Sequence, residues 1–376
     1  NNHTGRFLYF QSHYGRKGKF TDIGTVISMW TQNKIFKEDL EYITGVNFID
    51  WHKLDNKTVF VTGATGLIGY TFVSALLYRN LNYNSNIKVI ALVRNITKAR
   101  EKFAEQLKKN ANIEFVVGDV ENIPAINDDI DYIVHGANPT ASNYFVKKPV
   151  ETINTAVFGT MKILQLAKEK NVESMVYLSS MEVYGAPHTD DLIPETQGTT
   201  VDTMSVRSCY PEAKRLCEAL CASYADEYKV PVKVIRLAQT FGPGVPENDN
   251  RVFAEFIHCV KNKQDIVLQT AGTSKRCYLY TADAATAILA ILLDGKDGEA
   301  YNAANKATYC SIIEMAQLVA REIANDEINV VIKENNNSKR KFPPPHKLNL
   351  DVSKLEKMGW EKSRNLKDMY CRTGGI

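Results

Sequence analysis

The chain has 376 residues, of which 44% are hydrophobic and 24% are charged, and its formal net charge is +3. This composition is typical of a soluble globular protein, and the small charge without a dense basic run argues against nucleic acid as a partner. No apolar stretch approaches the roughly 20 residues that span a bilayer, so no membrane partner is expected. The 7 cysteines form no CxxC pair and no zinc-like Cys/His cluster, which predicts reduced thiols, no metal site and a cytoplasmic protein.

The residues before the first predicted strand fall into two parts. Residues 1–12 end in Leu8-Tyr9-Phe10-Gln11-Ser12, which resembles an expression tag with a protease site and is excluded from the fold. Residues 13–56 are expected to form an N-terminal extension that packs on the fold or contacts a dimer partner, with a helix at Glu38–Ile43.

From Lys57 onward, short apolar runs alternate with amphipathic stretches. The predicted strands are Lys57–Thr62, Ile87–Val93, Ile113–Val117, Asp131–His135, Glu173–Ser179 and Val232–Ala238. The predicted helices between them are Gly69–Arg79, Thr97–Lys109, Val157–Lys168 and Tyr210–Tyr228. Apolar strands that alternate with helices predict an α/β fold, a Rossmann-type doubly wound parallel sheet over residues 57–240.

After Phe241 the alternation is less regular. Gly298–Ala304 is a candidate late strand that can return to the sheet, and Pro343-Pro344-Pro345 can lie in neither a helix nor a central strand. Ser311 and Glu314 have capping-box spacing. Residues 241–376 are predicted to be mainly a smaller C-terminal α/β substrate lobe over the carboxyl ends of the strands, where open sheets bind ligands. Its predicted helices are Arg251–Lys261 and Ser311–Ala324.

A glycine-rich turn follows the first predicted strand. Gly63 permits a tight turn, Gly66 lets the backbone approach a pyrophosphate, and Gly69 allows close packing of helix on strand. The next helix offers free N–H groups and the positive end of its dipole to phosphates. Residues 57–240 are therefore expected to bind NADP or NAD. The candidate contacts in this turn are Gly63, Thr65, Gly66, Leu67, Ile68 and Gly69.

Further candidate cofactor contacts follow the next strands. NAD-specific sites carry an acidic residue about 20 residues after the turn, but none occurs between residues 70 and 100. The second strand instead precedes Arg94, whose guanidinium can pair with a 2′-phosphate, so NADP is expected over NAD. The alternative for Arg94 is a solvated charge at a strand end. Candidate adenine and ribose contacts are Asp119, Val120 and Ala137.

Tyr210 and Lys214 are four residues apart on a predicted helix, so they share one face. A free tyrosine has a pKa of about 10, which a nearby ammonium and an oxidised nicotinamide would lower. Tyr210 is therefore the candidate acid/base, and both residues are candidate cofactor contacts. Tyr210 would take the proton of a substrate hydroxyl, and Ser180 can hydrogen-bond the oxygen of that hydroxyl. Glu182 can remove an acidified proton or hold a polar substrate group.

At these residues the chain resembles the extended short-chain dehydrogenase/reductase family, in its nucleotide-sugar epimerase, dehydratase and decarboxylase branch. The resemblance covers roughly Lys57 to Trp360 and rests on the ordered motifs TGATGLIG, SSMEVYG, YPEAK and RLAQTFGPG. Within that branch the segments Arg207–Arg215 and Asn248–Val252 are most similar to UDP-glucuronate decarboxylases (UDP-xylose synthases). The resemblance implies a nucleoside-diphosphate sugar oxidised at C4 to a keto intermediate. The substrate contacts that it implies are Pro139, Gln239, Arg251 and Arg276.

Three positions depart from the family pattern. Met181 stands where dehydratases have an acid, Gln239 replaces an asparagine, and Arg94 replaces the acidic residue of NAD-using relatives. Decarboxylation or 4-epimerisation is therefore the first expectation. The alternatives are an NADPH-dependent reductase of a nucleotide-linked keto sugar, a 4,6-dehydratase and, last, a non-catalytic dinucleotide sensor. Analogy with the family also implies a homodimer through the helices Val157–Lys168 and Tyr210–Tyr228.

Overall fold

The computed structural model describes residues 33–109, 111–139, 142–198, 201–333 and 345–375. The predicted tag, residues 13–32 of the predicted extension and Pro343-Pro344 lie outside the described residues. None of the helices within these ranges combines the length and the apolar character that a membrane crossing requires.

Helices and strands are numbered in chain order. The helices are α1 (Lys34–Gly45), α2 (Leu67–Tyr83), α3 (Ile96–Lys102), α4 (Ala104–Lys108), α5 (Ser142–Lys147), α6 (Pro149–Glu169), α7 (Cys209–Tyr228), α8 (Val252–Lys261), α9 (Thr281–Asp294), α10 (Ile312–Leu318), α11 (Ser353–Glu356) and α12 (Leu366–Gly374). The strands are β1 (Thr58–Thr62), β2 (Lys88–Val93), β3 (Ile113–Val117), β4 (Tyr132–His135), β5 (Ser174–Ser180), β6 (Val232–Leu237), β7 (Gln239–Phe241), β8 (Ile266–Leu268), β9 (Lys275–Tyr280), β10 (Ala300–Ala303), β11 (Asn305–Ser311), β12 (Val330–Ile332) and β13 (Lys347–Leu348).

A parallel sheet in the order β3-β2-β1-β4-β5-β6-β10 forms the centre of the molecule. Alternate residues of its strands enter different cores: Val59 and Val61 pack with α2 and α9, whereas Phe60 packs with α6 and α7 on the other face. The strand order reverses at β1, which pairs with β2 on one side and with β4 on the other. This arrangement confirms the predicted Rossmann-type fold and places a ligand crevice at the carboxyl ends of β1 and β4.

The C-terminal part of the chain contributes to the main sheet and to two smaller ones. β10 pairs in parallel with β6 at the edge of the main sheet. β9 pairs with β7, β11 and β13, and β8 pairs with β12. The sheet that contains β7 and β9 lies beyond the carboxyl end of β6, because β7 begins two residues after β6 ends.

Two predicted helices are interrupted. The predicted helix Thr97–Lys109 is wrong as a single element, because a turn at Phe103 separates α3 from α4. Phe103 is fully buried between the rings of Tyr70 and Phe115, with ring centroids 5.0 and 5.8 Å away. The predicted helix Ser311–Ala324 is α-helical only as far as Leu318 and then continues as a π-helical turn, although its capping box of Ser311 and Glu314 is present.

The helices nearest the two ends of the described chain are joined by a buried polar cluster. Arg372 in α12 donates to the Asp39 carboxylate at 2.8 Å, to Glu38 at 2.9 Å and to the Tyr280 hydroxyl at 2.9 Å. Tyr280 in turn donates to Asp39 at 2.6 Å. Asp39 is 1% exposed, so this cluster fixes α1 against the C-terminal part of the fold.

Candidate functional site

The glycine turn between β1 and α2 has no room for a side chain at Gly63 or Gly69. Gly63 has a φ of +77°, and a Cβ there would lie 2.8 Å from the Gly136 carbonyl carbon after β4. A Cβ on Gly69 would lie 2.2 Å from the Gly63 carbonyl oxygen. Gly66 is the N-cap of α2 and provides no side-chain cap to its first N–H groups. The turn is therefore a narrow backbone cradle with unpaired donors, as the sequence predicts for a pyrophosphate site.

A buried hydrogen-bond chain holds the loop that faces this cradle. The Thr62 hydroxyl accepts from the backbone N–H groups of Gly136 and Ala137 at 3.2 and 3.1 Å, so its own proton points to His135 Nδ1, 2.7 Å away. His135 Nε2 then donates to the Thr160 hydroxyl at 3.2 Å. Burial, together with the charge of Lys214, lowers the pKa of His135 to about 3. The imidazole is therefore neutral, and its single proton has a fixed position.

Asn138, in the same loop, has buried polar atoms that lack hydrogen-bond partners. Its side-chain Oδ1 and Nδ2 are both buried, and neither has a hydrogen-bond partner among the described residues. Buried amides are normally satisfied. Together with the glycine turn, these two unpaired amide atoms fit a dinucleotide bound between β1 and β4.

The adenine side of the candidate cofactor site contains Arg94, Asp119 and Val120. Arg94 is exposed immediately after β2, and within the described ranges it has no ion pair. The Asp119 carboxylate accepts from the backbone N–H groups of Glu121 and Asn122 at 2.9 and 2.8 Å, so it shapes its own loop. Val120 is buried against Gly159, where a Cβ would lie 2.5 Å from a Val120 methyl.

Ser180 and Tyr210 lie together at the carboxyl end of β5. Tyr210 is 7% exposed, in the first turn of α7. Burial raises the pKa of its phenol, and the charge of Glu182 raises the pKa further; the hydrogen bond with Ser180 and the charges of Arg207 and Arg251 lower it. The net direction is upward. Among the protein groups alone, the cost of burying a phenolate exceeds their stabilising effect. The expected lowering of the pKa also involves the oxidised nicotinamide and stays a prediction.

Lys214 shares the face of α7 on which Tyr210 lies, but its ammonium hydrogen-bonds to the backbone of β5 and not to the Tyr210 phenol. Its ammonium donates to the Leu178 carbonyl at 2.6 Å and lies 4.6 Å from the centre of the Tyr177 ring. Its distance to the Tyr210 ring centre is 5.9 Å. Burial lowers the pKa of Lys214 to about 8. The contact expected between Lys214 and a cofactor ribose stays a prediction.

Glu182 pairs with an arginine that lies just before α7. One Glu182 carboxylate oxygen accepts from Arg207 at 2.9 Å, and both side chains are half-buried. The backbone N–H of Glu182 donates to the Ser180 hydroxyl at 3.2 Å. The pair therefore brings a carboxylate and a guanidinium to the same end of β5 as the Tyr210 phenol.

The predicted substrate contacts form two groups. Gln239 and Arg276 meet at 3.2 Å, and Arg276 also donates to His346 Nε2 at 2.9 Å, which must accept because a guanidinium has only donors. Arg251 pairs with Asp249 at 2.6 Å and acts electrostatically on the Tyr210 phenol. Gln239 follows Leu237, which pairs with Ser180 across β5 and β6, so both groups border the same crevice. Pro139 lies in the loop after β4.

Several residues of the site were missed by the sequence reasoning. Arg207 was recognised only as part of a motif, and its position close before Tyr210 was the available signal. Thr62 and His135 end strands that were predicted, but nothing in the pattern indicates that they bond to each other. His346 is 70 residues from Arg276 in the chain, and no local signal connects them.

The parallel sheet, the glycine cradle and the grouping of Ser180, Tyr210 and Lys214 define an NAD(P)-dependent enzyme of the short-chain dehydrogenase/reductase type. More narrowly, the chain belongs to the NAD dependent epimerase/dehydratase family, whose sequence pattern matches residues 59–304. UDP-glucuronic acid decarboxylase 3 of Arabidopsis thaliana is 28% identical over 314 residues, which are 83% of this chain and 86% of that protein.

Solved structures of two epimerases are similar in fold. UDP-glucose 4-epimerase of Thermotoga maritima, solved with UDP-glucose, has a TM-score of 0.69 at 21% identity and covers 85% of this chain and 97% of its own. UDP-glucuronic acid 4-epimerase of Bacillus cereus, in complex with UDP-glucuronic acid and NAD, has a TM-score of 0.69 at 20% identity and covers 85% and 98%. At these sequence identities, the structural similarity establishes a shared fold and nothing about activity.

Proposed function

We propose that the chain modifies a nucleoside-diphosphate sugar through a 4-keto intermediate, and that its first candidate reaction is the decarboxylation of UDP-glucuronate. The observation that carries the proposal is the carboxylate of Glu182 beside Tyr210 and Ser180, with the charges of Arg207 and Arg251 acting on the same phenol. Each arginine already has a carboxylate partner, Glu182 for Arg207 and Asp249 for Arg251, so these charges are balanced and do not by themselves select an anionic sugar. The Arabidopsis relative, named as a UDP-glucuronic acid decarboxylase, supports the same substrate.

The residues divide the chemistry between them. The bound nicotinamide supplies reversible oxidation of the sugar at C4. Tyr210, hydrogen-bonded to Ser180, takes the proton of the C4 hydroxyl as the ketone forms. The C6 carboxylate is then β to a ketone, and its loss as carbon dioxide places the electron pair on the C4 oxygen, which the protonated Tyr210 stabilises. Protonation at C5 and reversal of the first step would give a pentose product.

Met181 argues against the dehydratase alternative. Its side chain is 5% exposed and lies in the core, at the position where dehydratases have an acid. A thioether cannot protonate a leaving hydroxyl. Water loss would therefore have to depend on another group.

Product analysis tests the reaction. We expect purified protein with UDP-glucuronate and NAD(P) to yield a product lighter by the mass of carbon dioxide. An isomer of unchanged mass would show 4-epimerisation instead, and stoichiometric consumption of NADPH with a keto sugar would show a reductase. No reaction with any nucleotide sugar would contradict the proposal.

Tyr210→Phe tests the acid/base role. We expect turnover to fall by about 100-fold or more, the usual contribution of a positioned acid/base. Tyr224→Phe, on the same helix α7, is the matched control and should keep full turnover. Full turnover in Tyr210→Phe would exclude the role proposed for its phenol.

Arg94 supports a preference for NADP. Its exposed guanidinium follows β2 where NAD-using relatives carry an acid, and a 2′-phosphate would supply its partner. The exposed Arg94 is also the observation that favours the second candidate, a net reductase, because it supports an NADP preference. We expect Arg94→Ala to weaken NADP(H) binding about tenfold in a fluorescence titration and to leave NAD(H) binding nearly unchanged. Equal weakening of both would contradict this role.

We also propose a homodimer through α6 and α7. Both helices carry large apolar side chains that are exposed in the single chain, which is unusual for a surface helix pair packed side by side. The exposed apolar residues are Val150, Ile153, Phe158, Met161 and Leu216.

A further inference from the structure

Helix α5 is attached to the candidate active site by one aromatic ring. Phe145 is 1% exposed, whereas its neighbours Tyr144 and Val146 are 38% and 58% exposed. The Phe145 ring stacks on Tyr210, with centroids 4.3 Å apart and planes 13° from parallel. The Cys209 thiol donates to the Phe145 carbonyl at 3.5 Å. Phe145 therefore excludes water from one part of the Tyr210 ring and limits its movement.

The Phe145 ring also contacts the guanidinium of Arg207, the residue that pairs with Glu182. Arg207 Cζ lies 5.1 Å from the Phe145 ring centre, within cation–π range. Arg207 thus lies against the Phe145 ring and donates an N–H to the Glu182 carboxylate at 2.9 Å. A chain of direct contacts connects the Tyr210 ring, Phe145, Arg207 and the Glu182 carboxylate.

The charges around the phenol have opposing effects. The groups whose charge acts on Tyr210 are Glu182, Arg207 and Arg251. Glu182 disfavours the phenolate, and the two arginines favour it. Removing Arg207 would leave Glu182 without its partner and also remove one of the two favourable charges.

We infer that Arg207 is a positioning residue of the catalytic site: it holds the Glu182 carboxylate in place, is itself held by the Phe145 ring, and keeps the reacting phenol from facing an unpaired carboxylate. This inference rests on the proposed function, because it concerns the same tyrosine and the same carboxylate. It assigns Arg207 no contact with the sugar.

The direct test is the titration of Tyr210 itself. With 3-fluorotyrosine incorporated at position 210, fluorine NMR follows that phenol alone and needs no substrate. We expect Arg207→Met to raise its titration midpoint by about one pH unit, the effect of losing an opposite charge at close range. Arg207→Lys keeps the charge, so its titration midpoint should lie close to that of the wild type.

The control removes a similar arginine elsewhere. Arg321 pairs with Glu322 at 2.7 Å on the surface, and Arg321→Met should leave the midpoint unchanged. In wild type and variants that turn over substrate, the pH at which kcat reaches half its plateau should move upward with the NMR midpoint, while KM for the sugar changes less than about twofold. An unchanged midpoint in Arg207→Met would overturn the inference even if the enzyme decarboxylates UDP-glucuronate. Absence of turnover in the wild type would overturn the proposed function, and the fluorine titration would still decide the role of Arg207.

Discussion

Thr62 holds the cofactor loop through one hydroxyl. Its oxygen accepts from Gly136 and Ala137, and its proton is directed to His135. The Gly136 N–H has a second acceptor in the Thr62 carbonyl at 3.1 Å, so it is the Ala137 N–H that depends most on the hydroxyl. Because the pKa of His135 is lowered to about 3, this arrangement should not titrate between about pH 5 and 8, where an ordinary histidine changes charge.

Thr62→Val keeps the shape of the side chain and removes the hydroxyl. A buried N–H without an acceptor costs about 1–3 kcal/mol, and the loop can escape that cost only by moving away from the cradle. We expect the Kd for the dinucleotide to rise about tenfold in a calorimetric titration. Thr62→Ser retains the hydroxyl and should bind nearly as the wild type does. If Thr62→Val bound the cofactor normally, the hydroxyl would have no part in shaping the site.

At the scale of elements, the main sheet was predictable and the small sheets were not. β1, β2, β4 and β5 are almost entirely buried and have apolar centres, whereas β6 is equally buried but contains Lys233 and Arg236 between apolar residues. β8 and β12 each have three residues and pair across a long stretch of chain, so neither carries a pattern of its own. Helix α9 was missed because it is apolar on every side, and no helical period distinguishes it.

Part of the candidate site was likewise predictable from the sequence, and part was not. Ser180, Glu182 and Tyr210 lie in local motifs, and the parallel order of the strands brings their ends together. The ion pair of Arg207 with Glu182 and the contact of His346 with Arg276 depend on loop paths between distant segments. Sequence periodicity contains no information about such paths.

The cluster that joins α1 to α12 should contribute strongly to stability. Arg372→Met would leave the Asp39 carboxylate buried without its cation, a change that typically costs about 3–5 kcal/mol. We expect a corresponding decrease in the free energy of unfolding from urea titration. Lys37→Met is the control on the same helix, because its pair with Glu41 at 3.4 Å is exposed and should contribute less than about 1 kcal/mol. Equal effects of the two variants would show that Asp39 does not depend on Arg372.

At the scale of the whole molecule, the apolar surface of α6 and α7 predicts the oligomeric state. Phe158 and Met161 are 52% and 40% exposed on α6. We expect the wild type to have the mass of a dimer in light scattering, and Phe158→Glu to convert it to a monomer. Leu81→Glu is the control, since Leu81 is 49% exposed on α2, away from the proposed contact. A monomeric wild type at high micromolar concentration would contradict the proposed dimer.

Helix α1 lies outside the stretch that the family pattern matches, yet it packs on α2 and α9 inside that stretch. Phe36, Leu40 and Ile43 of α1 are fully buried, and the Phe36 ring stacks on Tyr70 at 5.5 Å. Burial of three such side chains contributes about 5–9 kcal/mol, comparable with the whole free energy of unfolding of a typical domain, about 5–15 kcal/mol. We therefore expect that residues 59–304 do not fold alone: removal of α1 would uncover apolar surface on α2 and α9 and destabilise the nucleotide-binding half, although every motif residue would remain in place.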